Sequence, residues 1–408
     1  MNVVAATHDL RIGGSQGYLL LMAEQLERLG HHVVLHAPER DGPLADLAAE
    51  RGVRVARSPS ALPSTCDVVL VQDGIMAHRL AEAYPSVPQV FRCPSELFDL
   101  QLPPQLPGLV AASVALSERV AQRLRALALS LEVVRLTQPV DTSRFSGGEA
   151  LRARPTRAVL LGNYLQGPRR DLLVETWSAA GVECVIAGNL GEPTLAPESV
   201  LADADIVVAK GRAAVEAMAC GRAVYVYDQF GSDGWVTPET YAALEADNFA
   251  GQATTAVPSA ERLARDLGAY DPQMGMANRD LAVHHHCARR HAEALVQVLA
   301  TASPRGETAA TPHRELARLV QVQWQTEARG FALAAENRAL LGRVKEAERE
   351  RGAERTRANQ AERAQAKARA EAREAERRLA GLRERRVLRA ARAVRRAARA
   401  VARRGRAR

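Results

Sequence analysis

Over roughly its first 300 residues the chain repeats one device: a short β-branched run, a turn, then a stretch of helical periodicity. That alternation is the pattern of βα units on a parallel sheet. The runs at 2–7, 32–36, 53–56, 67–71, 87–91, 109–112 and 132–136 read as strands. Helices are expected between several of them, the clearest at 18–29 and 114–127. A second series follows at 158–161, 183–187, 205–208 and 223–227, with helices at 171–180 and 213–219. Between the two series stands Thr137-Gln138-Pro139-Val140-Asp141 followed by Phe145-Ser146-Gly147-Gly148, a hinge rich in Pro and Gly. The expected fold class is α/β: two Rossmann-like, doubly wound domains whose strand ends face a common cleft, where ligands bind in such sheets.

At 408 residues the chain exceeds one ordinary domain. We divide it into a first domain at 1–145, a second at 146–300 whose closing helix at 272–300 crosses back, and a linker at 301–312. A charged helix at 313–384, coiled coil in part, and an Arg-rich amphipathic tail at 385–408 complete it. The stripe of Leu316, Leu319, Val322, Leu333, Leu340 and Val344 makes self-association through 313–344 plausible; beyond it the heptad frame reaches Ala347, Arg351 and Glu354. No apolar run spans the ~20 residues a bilayer requires, and the amino terminus lacks a leader pattern. Five widely spaced cysteines without a CxxC read as reduced thiols. These features point to a cytoplasmic protein.

Charge is divided along the chain. Residues 1–300 carry 26 Lys/Arg and 34 Asp/Glu, whereas 301–408 carry 29 and 13, so the net +8 belongs to the tail. The last 24 residues hold 11 arginines and no acid, with Val387, Ala391, Val394, Ala398 and Val401 on one helical face. That is a cationic amphipathic helix suited to an anionic membrane, or else a plain solvated charge run; nucleic acid is the less favoured partner.

Two places carry anion-binding chemistry. The turn Gly13-Gly14-Ser15-Gln16-Gly17 opens a helix, whose first N–H groups and dipole favour an anion; its plainer reading is a tight turn capped by Ser15. Lys210-Gly211-Arg212 ends a buried strand and starts a helix carrying Glu216 one turn in. Two cations at a helix N-terminus suit a diphosphate, and a carboxylate beside them suits ribose hydroxyls. The alternative makes Glu216 a capping acid and the cations surface residues. The loop 227–237, with Gly231 and Gly234, is expected to face the cleft, as donor-wrapping loop or surface turn. His8 follows the first strand and reads as a turn histidine. His284-His285-His286 on a helix would point in three directions, so no metal site is expected.

The run Glu216-Ala217-Met218-Ala219-Cys220-Gly221-Arg222-Ala223-Val224 resembles the E-A-M-A-x-G-x-P-V segment of retaining family 4 glycosyltransferases of the GT-B fold. So do the opening Gly13-Gly14 loop and the later G-H-x-V strand, the hinge Val140-Asp141 with Arg144-Phe145, and 159–163 with 171–173. The resemblance covers about 1–299 and implies sugar transfer, with retention and without metal or other cofactor, from a nucleoside diphosphate sugar to an acceptor that is a glycan, a lipid-linked molecule or a small molecule. By this resemblance Lys210, Gly211, Arg212, Glu216, Gly162, Asn163, Arg169 and Arg170 would bind the donor, with no catalytic residue assigned. The chain departs from the family pattern at four points. Val208 stands where the first of two glutamates belongs, Asn163 replaces an arginine, Pro168 takes the usual lysine position with Arg169 and Arg170 following at once, and Arg92-Cys93 replace a histidine of the first domain. A non-catalytic scaffold acting through its C-terminal helix is therefore the competing reading.

Overall fold

The computed structural model describes residues 1–38, 42–127, 131–162, 165–188, 195–229, 231–254, 258–303 and 312–405, with side chains undescribed at 339, 345, 346 and 397–405. Two compact units result, Met1–Glu336 and Asn337–Arg408.

The first lobe runs β1 (Asn2–Ala6), α1 (Gly14–Arg28), β2 (His32–His36), α2 (Pro43–Glu50), β3 (Arg54–Ala56), β4 (Val68–Val71), α3 (Gly74–Ala83), β5 (Gln89–Cys93), β6 (Ala112–Ala115), α4 (Glu118–Arg125) and β7 (Glu132–Arg135). Its seven strands lie in the order β3-β2-β1-β4-β5-β6-β7, with every neighbouring pair parallel. Strands covered by helices on both faces are apolar throughout, and Val68–Val71 is wholly buried. Strand order reverses between β1 and β4, which opens a crevice at the carboxyl end of β1.

The second lobe holds β8 (Arg157–Leu161), α5 (Pro168–Ala179), β9 (Glu183–Ala187), α6 (Pro197–Ala202), β10 (Ile206–Ala209), α7 (Gly211–Ala219), β11 (Ala223–Asp228), β12 (Gly231–Trp235), α8 (Pro238–Ala246), α9 (Ala260–Gly268) and α10 (Gln273–His285). Its sheet is ordered β12-β11-β10-β8-β9 and reverses between β8 and β10. The loop expected at 227–237 instead contains the end of β11 and the whole of β12, an edge strand antiparallel to β11.

The closing helix is broken. α10 stops at His286, whose Nδ1 lies 2.7 Å from the Gln138 carbonyl and Nε2 3.0 Å from the Tyr241 hydroxyl. α11 (Ala288–Thr301) then crosses back, and its Ala288, Ala292, Leu295, Val298 and Leu299 complete the core around α1 and β1. The hinge is pinned to this break: the Val140 amide donates to the His286 carbonyl at 2.8 Å, and Ala288 donates to Val140 at 3.0 Å.

Two expectations shift. Residues 114–117 are not helical, because Val114 and Ala115 pair with Arg92 and Cys93 in the sheet. α4 begins only after Ser117, whose hydroxyl accepts the Val120 amide at 3.1 Å. The helix α12 (His313–Gly405) also begins as part of the first unit rather than as a free arm. Its residues His313, Ala317, Val320, Trp324 and Phe331 face the first lobe, where Trp324 and Phe331 both meet Phe98 edge-on. Of the stripe expected for self-association, Leu319, Val322, Leu333, Leu340 and Val344 stay exposed. Most of the linker at 301–312 lies outside the described residues.

Candidate functional site

A cavity of about 400 Å³ lies between the two sheets, where both crevices open. Its walls come from the start of α1, the end of β5, the hinge, and the turns after β8 and β10.

The first wall is the α1 N-terminus. Gly13, not Ser15, is the N-cap; no side chain caps it, and the first turn holds no acid. Those amides face the cavity with the positive end of the dipole. The second wall is the α7 N-terminus, again without a side-chain cap, its N-cap residue being Lys210. Gly211 has φ +55, a left-handed conformation that glycine adopts without cost, and so the chain passes from buried strand to helix in a single residue.

Arg212 joins the two walls. Its Nε lies 2.6 Å from Glu216 Oε1, while Nη1 has no hydrogen-bond partner and projects to the first lobe. A Cβ placed on Gly17 would lie only 2.6 Å from that Nη1, so the absence of a side chain there seats the guanidinium against α1. Glu216 is buried and faces the cavity beside it. Lys210 forms an ion pair with the buried Asp228.

The sequence-derived candidates thus divide. Gly13, Gly14, Gly162, Lys210, Gly211, Arg212 and Glu216 all border the cavity. Asn163 lies outside the described residues. Arg169 instead donates to the Asp228 carbonyl at 3.2 Å, and Arg170 pairs with its neighbour Asp171 at 2.8 Å. Both are turned to local partners because α5 starts at Pro168 and carries them along its first turn. Gly231 and Gly234 are not on a cavity loop; they sit in β12, where a Cβ on Gly231 would collide with the Gly251 carbonyl.

His8 does not reach the cavity. It is buried, with Nδ1 3.3 Å from Asp73 and Nε2 3.3 Å from Asp9, under the edge of Trp324 at 5.8 Å. Burial alone would lower its pKa, but the two carboxylates outweigh burial and hold it up near 10. His8 is therefore an imidazolium within an ion cluster, not a free base. Against the opposing effect of burial, His8 and Arg11 in turn hold Asp9 far below the usual carboxylate range.

Sequence reasoning missed other parts of the wall. Arg119 at the start of α4 spans the mouth from Glu96 (3.1 Å) to Asp247 (3.3 Å) on the second lobe. Asn248 and Phe249 turn the chain in the left-handed region, φ +53 and +52, and Asn248 stands over Gly211. Arg92 appeared only as a departure from a family pattern. No local periodicity marks any of them; an Asn in a helix-ending D-N-F stretch was the one faint signal, since Asn tolerates left-handed backbone. Among the described residues no cluster of histidine, cysteine or acid suits a metal ion, and all five cysteines are free.

Two Rossmann-like sheets facing one cavity define the GT-B fold. The chain is similar to a glycosyltransferase from Rickettsia africae ESF-5, at 12% identity over 73% of this chain and 97% of that one, with a TM-score of 0.50. Further similarities are to Arabidopsis thaliana UGT89C1 complexed with UDP (12% identity, 73% and 99% covered, TM-score 0.47) and to MurG of Acinetobacter baumannii (12%, 73% and 99%, 0.39). No protein-family model and no curated protein matches the chain.

Proposed function

We propose that this protein transfers a sugar from a nucleoside diphosphate sugar to an acceptor. The observation that carries the reading is the Arg212 guanidinium, half satisfied by Glu216 and half unpaired, seated between two helix N-termini without side-chain caps at one interlobe cavity. A diphosphate placed there meets the Arg212 cation of the second lobe and amide dipoles from both lobes. Its charge rises as the glycosidic bond breaks, so such preorganised groups favour the transition state over the ground state. Glu216 keeps its second oxygen for ribose hydroxyls. Retention of configuration and independence from metal follow the family resemblance, and no residue is assigned as base. The Arg-rich stretch at 385–408 would hold the enzyme at an anionic membrane surface on the cytoplasmic side, which suits a lipid-linked acceptor.

A scaffold reading has one observation in its favour: Lys210 with Asp228, and Arg212 with Glu216, are ion pairs within the protein itself. Calorimetric titration with ADP, GDP, UDP, CDP and dTDP separates the two. The enzyme reading expects one to bind, with Arg212→Gln weakening it about tenfold to a hundredfold and the matching nucleoside far less. If none binds at millimolar concentration, the scaffold reading stands instead.

A further inference from the structure

Arg92 closes the inner wall of the cavity and is 2% exposed. Its Nη1 donates to Gln72 Oε1 at 3.3 Å, its guanidinium carbon lies 4.1 Å over the Tyr18 ring, and its Nε has no hydrogen-bond partner. The carboxylates that border the same cavity are all engaged by other arginines: Glu24 by Arg51, Glu96 and Asp247 by Arg119, Asp141 by Arg28, Glu216 by Arg212. Its remaining neighbours bring no negative charge. Tyr18 donates to His291 Nε2 at 2.8 Å, and burial, aided by Arg92 itself, pushes that histidine down to about 3, so it is neutral. Burial and the nearby Arg212 bring Arg92 down only to about 10, so it stays charged at neutral pH.

A buried guanidinium without an anion is costly, because an ion taken out of water is left uncompensated. The cation–π contact with Tyr18 offsets only part of this. A side chain that served packing alone would not need the charge. We propose that Arg92 receives an anionic group, a carboxylate or a phosphate, so that the substrate of this cavity is charged at a second point apart from the donor diphosphate. This rests on the donor reading above and adds a substrate class to it: either the transferred sugar or the acceptor is an anion.

The test titrates inorganic phosphate against the full-length protein saturated with whichever nucleoside diphosphate it binds, and follows thermal stability. Wild type should show a further, saturable rise in Tm. Arg92→Gln, which can still donate to Gln72 but is neutral, should lose that rise while its nucleotide Kd changes less than threefold. Arg92→Lys keeps the charge and loses the fork, so its phosphate affinity should fall about tenfold; this arm decides the matter if the glutamine variant does not fold. No phosphate effect in wild type, an equal effect in Arg92→Gln, unchanged affinity in Arg92→Lys, or a tenfold loss of nucleotide affinity in Arg92→Gln would each overturn the proposal.

A comparison of nucleotide-linked glucuronate with the glucose analogue finds the source of the charge. At least tenfold tighter binding of the uronate, abolished in Arg92→Gln, assigns the anion to the sugar; equal binding assigns it to the acceptor. If no nucleoside diphosphate binds, the donor reading fails. A phosphate effect on the free protein that needs Arg92 and survives Arg212→Gln would still support the proposal.

Discussion

At the scale of single residues, the meeting of Gly17 and Arg212 separates binding from stability. Gly17→Ala replaces a glycine inside α1, which should stabilise the helix by about 0.5–1 kcal/mol, yet the new methyl displaces the Arg212 guanidinium. The variant should melt higher and bind nucleoside diphosphate about tenfold more weakly; unchanged affinity would remove Arg212 from the site. His8 gives a pH signature. Its folded pKa, near 10, stands above the ordinary 6.5, so its stabilising effect is full below pH 6.5 and is lost as pH rises through 10. His8→Gln leaves two buried carboxylates without that partner and should cost about 3 kcal/mol at neutral pH. The difference from wild type, measured by denaturant unfolding, should shrink as pH climbs toward 10. The sequence made Glu216 and its helix start legible, because strand, glycine and helix follow without a gap. Arg92 and the ion cluster of His8 were illegible, because their partners come from Tyr18, Gln72 and Asp73, on other elements.

At the scale of elements, α12 differs most from what its sequence suggested. Its composition is that of an exposed helix, and the face that docks, His313–Ala317–Val320–Trp324–Phe331, mixes histidine and aromatics rather than the Leu/Val stripe that periodicity selects. Its first turn rests on α3 through two histidines, His78 Nδ1 lying 3.2 Å from His313 Nδ1, with Arg79 and Glu82 on one side and Arg314 on the other. Burial, then the partner His313, pushes His78 down to about 4, and burial lowers His313 against the pull of Glu82. Both therefore stabilise the contact above pH 6.5 and lose that effect as pH falls, His78 through about 4. Amide exchange across 313–331, corrected for intrinsic rates, should quicken between pH 7 and 5, and a His78→Gln variant should lack most of that dependence. The βα elements themselves were read within a few residues, because buried parallel strands are continuous apolar runs. The mistake at 114–117 arose where a short strand and a short helix abut.

At the scale of the whole molecule, charge and the division into units coincide. Met1–Glu336 carries 30 Lys/Arg and 38 Asp/Glu, while Asn337–Arg408 carries 25 and 9. No described helix is long and apolar enough to cross a membrane. Near an anionic surface each basic residue contributes ~1 kcal/mol, so the second unit would outweigh repulsion of the first. A chain ending at Glu336 should keep its Tm and nucleotide affinity and lose sedimentation with phosphatidylserine vesicles at low salt. Ending it at Pro312 instead should lower Tm, because Trp324 and Phe331 would leave Phe98 uncovered. Pelleting of the 1–336 chain would place the membrane contact elsewhere.

The return of α11 to the first lobe sets an order on synthesis. Tyr18 and its partner His291 are 273 positions apart, and at roughly 5–20 residues per second a ribosome needs about 14–55 s to make the second after the first. Through that interval the apolar side of α1 lacks Ala288, Ala292, Leu295 and Leu299, which later seal it. The second sheet, begun later, has all its strands by Trp235. The lobe translated first is thus the one completed last, and its nascent form keeps apolar surface uncovered until α11 has been made.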